Sequence, residues 1–398
     1  MRVLHVIPSV GHLRGGSSVA MRTMAHGLVQ TGLAVDVATT DDNGHSRLNV
    51  SHSKPIVEEG VTYRYFRRQT RFYTFSWPLT RWLAQHVREY DLVHIHALFS
   101  YAAIPAAYWA TRWKVPYIVH PLGVLNYWGM HNRRPWLKKL SYSLIEKHIL
   151  RGAAAIRYTS QQERSEAAKL GIRQRSVIIP EAVDIPLNSV NFAPGPFHAR
   201  NPHLADRCII LFLSRLDPKK GLDILMPAFA HVQVQHPRTT LVLAGSGEPA
   251  FVAHLQREAT RLGIAPDIVW AGFLTGEEKW AAMADADIFV LPSYSENFGV
   301  AVVEAMASRL PVVISDQVAI HREIAEAQAG LVVPCRTKEL AEALDTLIAD
   351  NGLRTEMGIN GQCLARTKFS PEAATQNLLN LYSDICAPPL QDAEHAVT

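Results

Sequence analysis

Residues Ser293-Tyr294-Ser295-Glu296-Asn297-Phe298-Gly299-Val300-Ala301-Val302-Val303-Glu304-Ala305-Met306-Ala307 decide how this chain is read. Just before them, Asp287 to Leu291 forms a short apolar run of the kind found in buried strands, and from Gly299 onward the apolar spacing turns helical. A loop therefore carries the chain from a strand end into a helix N-terminus. Backbone N–H groups there lack intrahelical partners and the helix dipole adds partial positive charge, so the loop favours an anion such as phosphate. Glu296 lies in the loop and Glu304 on the helix, about 1.5 Å of rise per residue further in, so the two carboxylates face different parts of one ligand. Two acceptors so placed suit the hydroxyls of two sugars joined by a diphosphate.

On either side the same strand-then-helix pattern repeats. Strand-like runs at Thr240 to Ala244, Ile268 to Trp270, Ile288 to Leu291, Val312 to Ile314 and Leu331 to Val333 follow a first run at Cys208 to Leu213. Ser214-Arg215-Leu216-Asp217-Pro218-Lys219-Lys220-Gly221 leaves that first run with three cations before a helix from Leu222. Asp285-Ala286-Asp287 is formally a D-x-D metal motif, but it runs directly into a buried strand, so a structural role is expected. From Lys338 the pattern is helical to about Cys386.

Toward the N-terminus, Val3 to Ile7 reads as a buried strand, and a loop with Gly11, Arg14, Gly15 and Gly16 leads to a helix over Val19 to Val29. This is a phosphate-cradle layout without the spaced G-x-G-x-x-G of dinucleotide enzymes. Further strands are expected at Ala34 to Thr39, Val61 to Phe66, Leu92 to His96 and Tyr117 to His120, with helices over Trp77 to Arg88 and Tyr101 to Trp113. Such alternation means a parallel sheet covered on both faces, with ligands at the carboxyl ends of its strands, where His96 and His120 fall. His94 and His96 form no metal pair on this reading, because no third ligand is evident. Ser160-Gln161-Gln162-Glu163 reads as a capping box that starts a helix.

Between Asp184 and Asp206 the chain carries Pro186, Pro194, Gly195, Pro196 and Pro202, which is linker chemistry. The expected organisation is a domain over 1–190, a linker over 191–207, a second domain over 208–370, a helix over 371–386 returning to the first domain, and a disordered tail over 387–398. At 398 residues and 48% hydrophobic content, the chain has material for two cores. No stretch reaches the roughly 20 apolar residues of a membrane span, and Met1-Arg2 leads straight into a strand, so a cytoplasmic protein is expected. Cys208, Cys335, Cys363 and Cys386 form no C-x-x-C pair, and neither zinc nor a disulfide framework is implied.

Charge is uneven. Residues 1–200 carry 25 Lys and Arg against 12 Asp and Glu, a net +13, whereas residues 201–398 carry 15 against 24, a net −9. The basic half also interleaves aromatics with cations: Tyr63, Tyr65, Phe66, Phe72, Tyr73, Phe75 and Trp77 with Arg64, Arg67, Arg68 and Arg71, then Tyr127-Trp128, Arg133-Arg134, Trp136 and Lys138-Lys139. That chemistry fits the inner face of a cytoplasmic membrane or a lipid-linked pyrophosphate acceptor, and equally a solvated loop whose aromatics simply pack. No nucleic-acid module is visible, so nucleic acid is not expected as a partner.

The pattern Ser295-Glu296-Asn297-Phe298-Gly299, then Glu304-Ala305-Met306-Ala307 and Pro311-Val312-Val313, resembles the signature of the retaining family 4 nucleotide-sugar glycosyltransferases of GT-B fold, enzymes found in bacterial exopolysaccharide and lipopolysaccharide assembly. One departure is Arg309, where members usually carry the glycine that a helix C-terminus favours. The resemblance implies an α/β architecture of two doubly wound, Rossmann-like domains facing across a cleft. It implies hexosyl transfer from a UDP- or GDP-sugar to a glycan hydroxyl, with no cofactor and no metal. By resemblance His120 and Glu296 act at the donor sugar. Gly15, Gly16, Arg215, Lys220, Asn297, Phe298, Gly299, Val300 and Glu304 bind the donor, with Lys219 a neighbouring candidate for the lysine. The rival expectations are a nucleotide-sugar isomerase or hydrolase on the same fold, and a non-catalytic nucleotide-sugar-binding protein.

Overall fold

The computed structural model describes residues 1–11, 16–131, 135–184, 195–204 and 206–387. The chain divides into two compact units. One comprises Met1–Thr159, Glu163–Ala182 and the segment from Pro371; the other comprises Ser160–Gln162 and Val183–Ser370.

In the first unit the strands are β1 (Arg2–Ser9), β2 (Ala34–Thr40), β3 (Asp42–Asn43), β4 (Ser46–Arg47), β5 (Ile56–Glu58), β6 (Val61–Phe66), β7 (Leu92–His96), β8 (Tyr117–His120), β9 (Ala155–Tyr158) and β10 (Ser176–Ile178). Eight of them form one sheet in the order β10-β9-β8-β7-β1-β2-β6-β5, and β3 pairs only with β4. All neighbours are parallel except β5 against β6. Both faces are buried, which is why the strands read as unbroken apolar runs. Leu4, Val6, Val93 and Ile95 point to one core layer, while Val3, Ile7, Val35 and Leu92 point to the other. The second layer is covered by the helices Gly16–Gln30 and Pro371–Cys386, which approach so closely that a Cβ on Gly27 would meet Thr375 Oγ1 at 2.3 Å.

The second unit has β11 (Cys208–Leu213), β12 (Thr239–Ala244), β13 (Ile268–Gly272), β14 (Ile288–Leu291), β15 (Val312–Ser315) and β16 (Gly330–Val333). They form a parallel sheet in the order β13-β12-β11-β14-β15-β16 around a single core. In each sheet the chain winds outward from the middle in one direction and then returns to wind in the other. The reversal lies between β1 and β7 in the first unit and between β11 and β14 in the second. At such a reversal the loops leaving the two central strands diverge and open a crevice at the carboxyl ends.

One sequence reading changes. Part of the expected linker is structured: Pro196–Arg200 is a helical turn in the second unit, followed by a 3-10 turn at Pro202–Leu204. Its anchor is Asp285, whose carboxylate accepts from the backbone N–H groups of Gly195 (2.6 Å), Phe197 (2.8 Å) and His198 (2.8 Å). Asp287 accepts from Ile209 N at 2.8 Å. Both aspartates of the D-x-D thus bond backbone. Of the expected tail over 387–398, residues 388–398 lie outside the described residues.

Arg309 takes the left-handed backbone a glycine would supply, at φ +64°. That conformation costs a non-glycine residue roughly 1–2 kcal/mol. Part of the cost is offset because Arg309 Nε donates to Gln362 Oε1 at 3.0 Å, while Gln362 Nε2 donates to Ala307 O at 3.1 Å. The odd residue is therefore stapled to the helix Asn351–Lys368.

Removing the Asp285 carboxylate strands three backbone donors, one of them fully buried, so Asp285→Ala should lower stability by about 2–3 kcal/mol. Guanidinium unfolding monitored by circular dichroism checks this; a change below about 0.5 kcal/mol would show that the capped turn contributes nothing.

Candidate active site

At the reversal of the second sheet, three loops are held backbone to backbone. Ser214 N donates to Ala244 O at 3.0 Å and Leu216 N to Ser246 O at 2.9 Å, so the loop after β11 lies along the loop after β12. This closeness admits no side chain: a Cβ on Gly245 would sit 1.8 Å from Ser214 O, and one on Gly247 2.3 Å from Leu216 O. Asp217 then caps a 3-10 turn over Pro218–Lys220 by accepting from Lys219 N, and Gly221, at φ +71°, starts the helix Leu222–Gln235. A Cβ on Gly221 would lie 2.0 Å from Pro292 O, which locates the loop after β14 against this turn. Tyr294 fastens it, N to Lys219 O at 2.9 Å and hydroxyl to Asp223 Oδ2 at 2.7 Å. From the other side, Glu296 N donates to Gln317 O and Ala319 N to Glu296 O, each at 3.0 Å.

These ties place the Lys220 ammonium on the Glu296 carboxylate in a largely buried ion pair. Of the two adjacent lysines, Lys220 makes the contact and is buried; Lys219 stands beside it, and Arg215 is exposed. Burial pushes the Glu296 carboxyl upward, but Lys220, Lys219 and Arg215 together hold it below the usual carboxylate range. Burial and the neighbouring cations Lys220 and Arg215 lower the Lys219 ammonium, against the pull of Glu296 and Asp217. Three cations surround one central carboxylate, so the loop keeps an excess of positive charge.

Glu296 leads through Asn297 and the buried Phe298, whose ring meets Phe369 edge-on at 5.4 Å, to Gly299 at φ +86° and the helix Val300–Ala307. Glu304 lies on that helix, 7% exposed, and accepts from Lys279 Nζ at 2.6 Å. Burial raises its carboxyl above the usual range, with Asp184 adding to the effect and Lys279 opposing it. Sequence reading missed Lys279: it sits in an ordinary charged first turn, Gly276-Glu277-Glu278-Lys279, with no motif to mark it.

In the first unit, Gly16 begins the helix after β1, while Gly15 lies outside the described residues. His96 and His120 sit opposite each other at the carboxyl ends of β7 and β8. Ala97 (φ +67°), Phe99 (φ +53°) and Leu122 (φ +59°) hold left-handed backbone in the loops that follow, the kind of strain that gathers at functional sites. Glu163 fixes the second of these loops by accepting from Gly123 N at 2.7 Å as well as from Thr159 N at 2.8 Å.

His120 is 1% exposed and belongs to a buried cluster with His5, His94, His96, Arg157 and Glu181. Burial and the Arg157 charge push all four imidazoles well below their ordinary titration, His5 to about 3, so they are neutral near pH 7. Here the sequence reading needs correction: His5 stands beside His94 and His96 as a third imidazole, with one nitrogen of each within 4.8 Å of the others. Their rings are stacked, however, His94 on His96 at 4.2 Å with planes 26° apart and His5 on His96 at 5.2 Å and 19°. Lone pairs lie in the ring planes, so stacked rings do not converge on one ion. The cluster is better described as a hydrogen-bonded chain.

The family model "Glycosyl transferase 4-like domain" matches residues 15–181, and "Glycosyl transferases group 1" matches residues 196–363. The chain belongs to the family 4 glycosyltransferases of GT-B fold. The cationic loop after β11 and the Glu296 loop after β14 lie in the second match; β7 and β8, with His94, His96 and His120, lie in the first, which begins after β1 and His5. The glycosyltransferase is 29% identical over 249 residues to alpha-D-kanosaminyltransferase of Streptomyces kanamyceticus, covering 60% of this chain and 63% of that one. It is 27% identical to D-inositol 3-phosphate glycosyltransferase of Nocardia farcinica, over 94% of this chain and 86% of that one. Among solved structures, Anabaena HepE in complex with UDP and glucose superposes with a TM-score of 0.77 at 23% identity, over 96% of this chain and all of that one.

Proposed function

We propose that this glycosyltransferase moves a hexosyl group from a nucleoside diphosphate sugar to a hydroxyl of a glycan acceptor, with retention at the anomeric carbon and without a metal. The observation that carries this reading is the Lys220–Glu296 ion pair at the sheet reversal, with Lys219 and Arg215 adding their positive charge beside it. HepE has been crystallised with UDP and with UDP-glucose, which supports a UDP-sugar donor here; GDP is the alternative base.

In this mechanism the bond between the anomeric carbon and the diphosphate breaks, with its electron pair leaving on the phosphate oxygen. Arg215 and the lysines neutralise that charge, together with the backbone N–H groups at Gly299 and Val300. The diphosphate draws Lys220 from Glu296, and the freed carboxylate, with the backbone of Asn297, Phe298 and Gly299, orients the donor sugar. Glu304 takes the ribose hydroxyls and His120 meets a sugar oxygen. The acceptor hydroxyl forms the new bond on the face the diphosphate leaves and passes its proton to the departing phosphate. Retention rests on the family resemblance.

For the acceptor, we infer a lipid-linked glycan at the inner face of the cytoplasmic membrane, as in exopolysaccharide or lipopolysaccharide assembly. No helix among the described residues is long and apolar enough to cross a membrane. The helical run from Pro135 through Tyr142–Glu146 to Gly152 instead exposes Trp136 (67%), Leu140 (52%) and Leu144 (64%) at four-residue spacing, with Lys139 and Arg151 also exposed. An apolar stripe flanked by cations suits an anionic lipid surface.

A thermal-shift panel of UDP-, GDP- and ADP-sugars tests the donor. One nucleotide should stabilise the protein by about 2.7 kcal/mol at a hundredfold excess over Kd, unaffected by EDTA and lost in Lys220→Ala. Loss of the shift with EDTA would refute the metal-free clamp, and no shift with any donor would contradict nucleotide-sugar binding at this loop. Vesicle flotation tests the surface: phosphatidylglycerol should be preferred over phosphatidylcholine, and Trp136→Ser with Leu144→Ser should weaken binding about tenfold or more. Equal binding to both lipids would remove the membrane from the account.

A further inference from the structure

The period of two along a strand puts His5 on β1, His94 and His96 on β7, His120 on β8 and Arg157 on β9 on one face of the first sheet, the face covered by the Gly16–Gln30 and Pro371–Cys386 helices. Arg157 is fully buried. Its guanidinium donates to Ile179 O (3.1 Å), to Pro180 O (2.8 Å) and to Glu181 Oε2 (3.3 Å), and faces Met24 Sδ (3.1 Å) and His120 Nδ1 (3.5 Å). A guanidinium has no acceptor and is always charged, so the nitrogen it faces must be the bare one. His120 therefore carries its proton on Nε2.

The rest of the chain then has one consistent direction. His96 Nδ1 lies 3.4 Å from His120 Nδ1, so His96 holds its proton on Nδ1 and donates. That leaves His96 Nε2 bare to accept from His5 Nδ1 at 3.0 Å. His5 Nε2 is then left bare at the end of the chain, buried and without a hydrogen-bond partner among the described residues. At the other end, His120 Nε2 is buried without a hydrogen-bond partner among the described residues, and Glu181 Oε1 lies 3.5 Å away in ion-pair range but off hydrogen-bond geometry. A buried N–H without an acceptor costs free energy until an oxygen reaches it.

We infer that Arg157 and Glu181 are positioning residues that hold His120 as the neutral Nε2–H tautomer, so that it donates a hydrogen bond to a sugar oxygen rather than accepting one from a sugar hydroxyl. The inference rests on the placement of His120 at the donor sugar. The charged and titratable groups facing His120 are His5, His94 and His96 from β1 and β7, Arg157 from β9, Glu181 from the segment after β10 and, beyond His94, Tyr382, whose hydroxyl lies 2.6 Å from His94 Nδ1. Glu181, raised by burial and pulled back by Arg157, adds its partial or full negative charge on the Nε2 side.

Two-bond 1H–15N correlation spectra of histidine-labelled protein, assigned by the signal lost in His120→Asn, read the tautomers directly. His120 should appear as Nε2–H and His5 and His96 as Nδ1–H, all neutral down to the lowest pH at which the protein stays folded. Nδ1–H on His120 overturns the inference whatever the activity. Removing Arg157 alone would leave an unpaired buried carboxylate, so the variant used is Arg157→Met with Glu181→Gln. It should abolish the single Nε2–H signature and lower kcat on the order of 100-fold, with the donor KM changed less than threefold. An unchanged spectrum, or a loss confined to KM, contradicts the positioning role. If the altered tautomer leaves kcat intact, the role is refuted while glycosyl transfer stands, because transfer is measured in the same assay. Should the double variant fail to fold, the wild-type spectrum still decides the tautomer.

Discussion

Everything in the second unit turns on one contact, the Lys220 ammonium on the Glu296 carboxylate. The two residues are 76 positions apart and meet only because the sheet reverses its winding between β11 and β14. Three glycines at backbone-to-backbone approaches, an aspartate cap and the two bonds of Tyr294 exist to bring the loops that close. The pair is a deliberate mismatch. Glu296 cannot balance Arg215, Lys219 and Lys220, so the loop is a standing attraction for an anion that carries more charge than one carboxylate. Glu304 and Lys279 repeat the theme at lower charge one turn into the next helix.

The first unit solves the opposite electrostatic problem. Its sheet buries four imidazoles and a guanidinium that most cores would exclude, and keeps the imidazoles uncharged by burial beside Arg157. The single full charge is met by one carboxylate and two backbone carbonyls, the arrangement a buried cation needs to be tolerable. Strained residues at the ends of β7 and β8 then present this neutral, directional face at the strand ends where ligands of such sheets collect.

Much of this was legible in the sequence. Strands β6, β7, β8 and β14 coincide with the runs read from the sequence, and the passage from β14 through a loop into a helix at Gly299 is legible in the same way. What escaped had a physical reason. β9 was not expected because Arg157 interrupts its apolar run, and a buried guanidinium is invisible to hydrophobic patterning. β5, the antiparallel edge, is partly exposed and too short to show a period. The turn at Pro196–Arg200 looked like linker because prolines mark both a linker and a helix start, and its cap comes from Asp285, 88 residues away from Phe197. His5 reads in the sequence only as part of a strand, because alternation fixes a residue's face and not its neighbour, and the β1–β7 register that sets it beside His94 is visible only in the structure. Arg309 shows the reverse case, where the sequence flagged an oddity and the structure supplied its partner, Gln362.

If the contact between Lys220 and Glu296 is a lock that the diphosphate opens, binding and transfer must separate when the carboxylate loses its charge. Calorimetric titration of UDP and GDP into wild type and Glu296→Gln, with transfer rates on the same samples, measures that separation. The account predicts that Glu296→Gln binds its nucleoside diphosphate at least as tightly as wild type, because three cations remain and their competitor is gone, while transfer falls on the order of 100-fold. A parallel loss of nucleotide affinity and transfer would mean that Glu296 builds the phosphate site rather than occupying it, and would contradict the account.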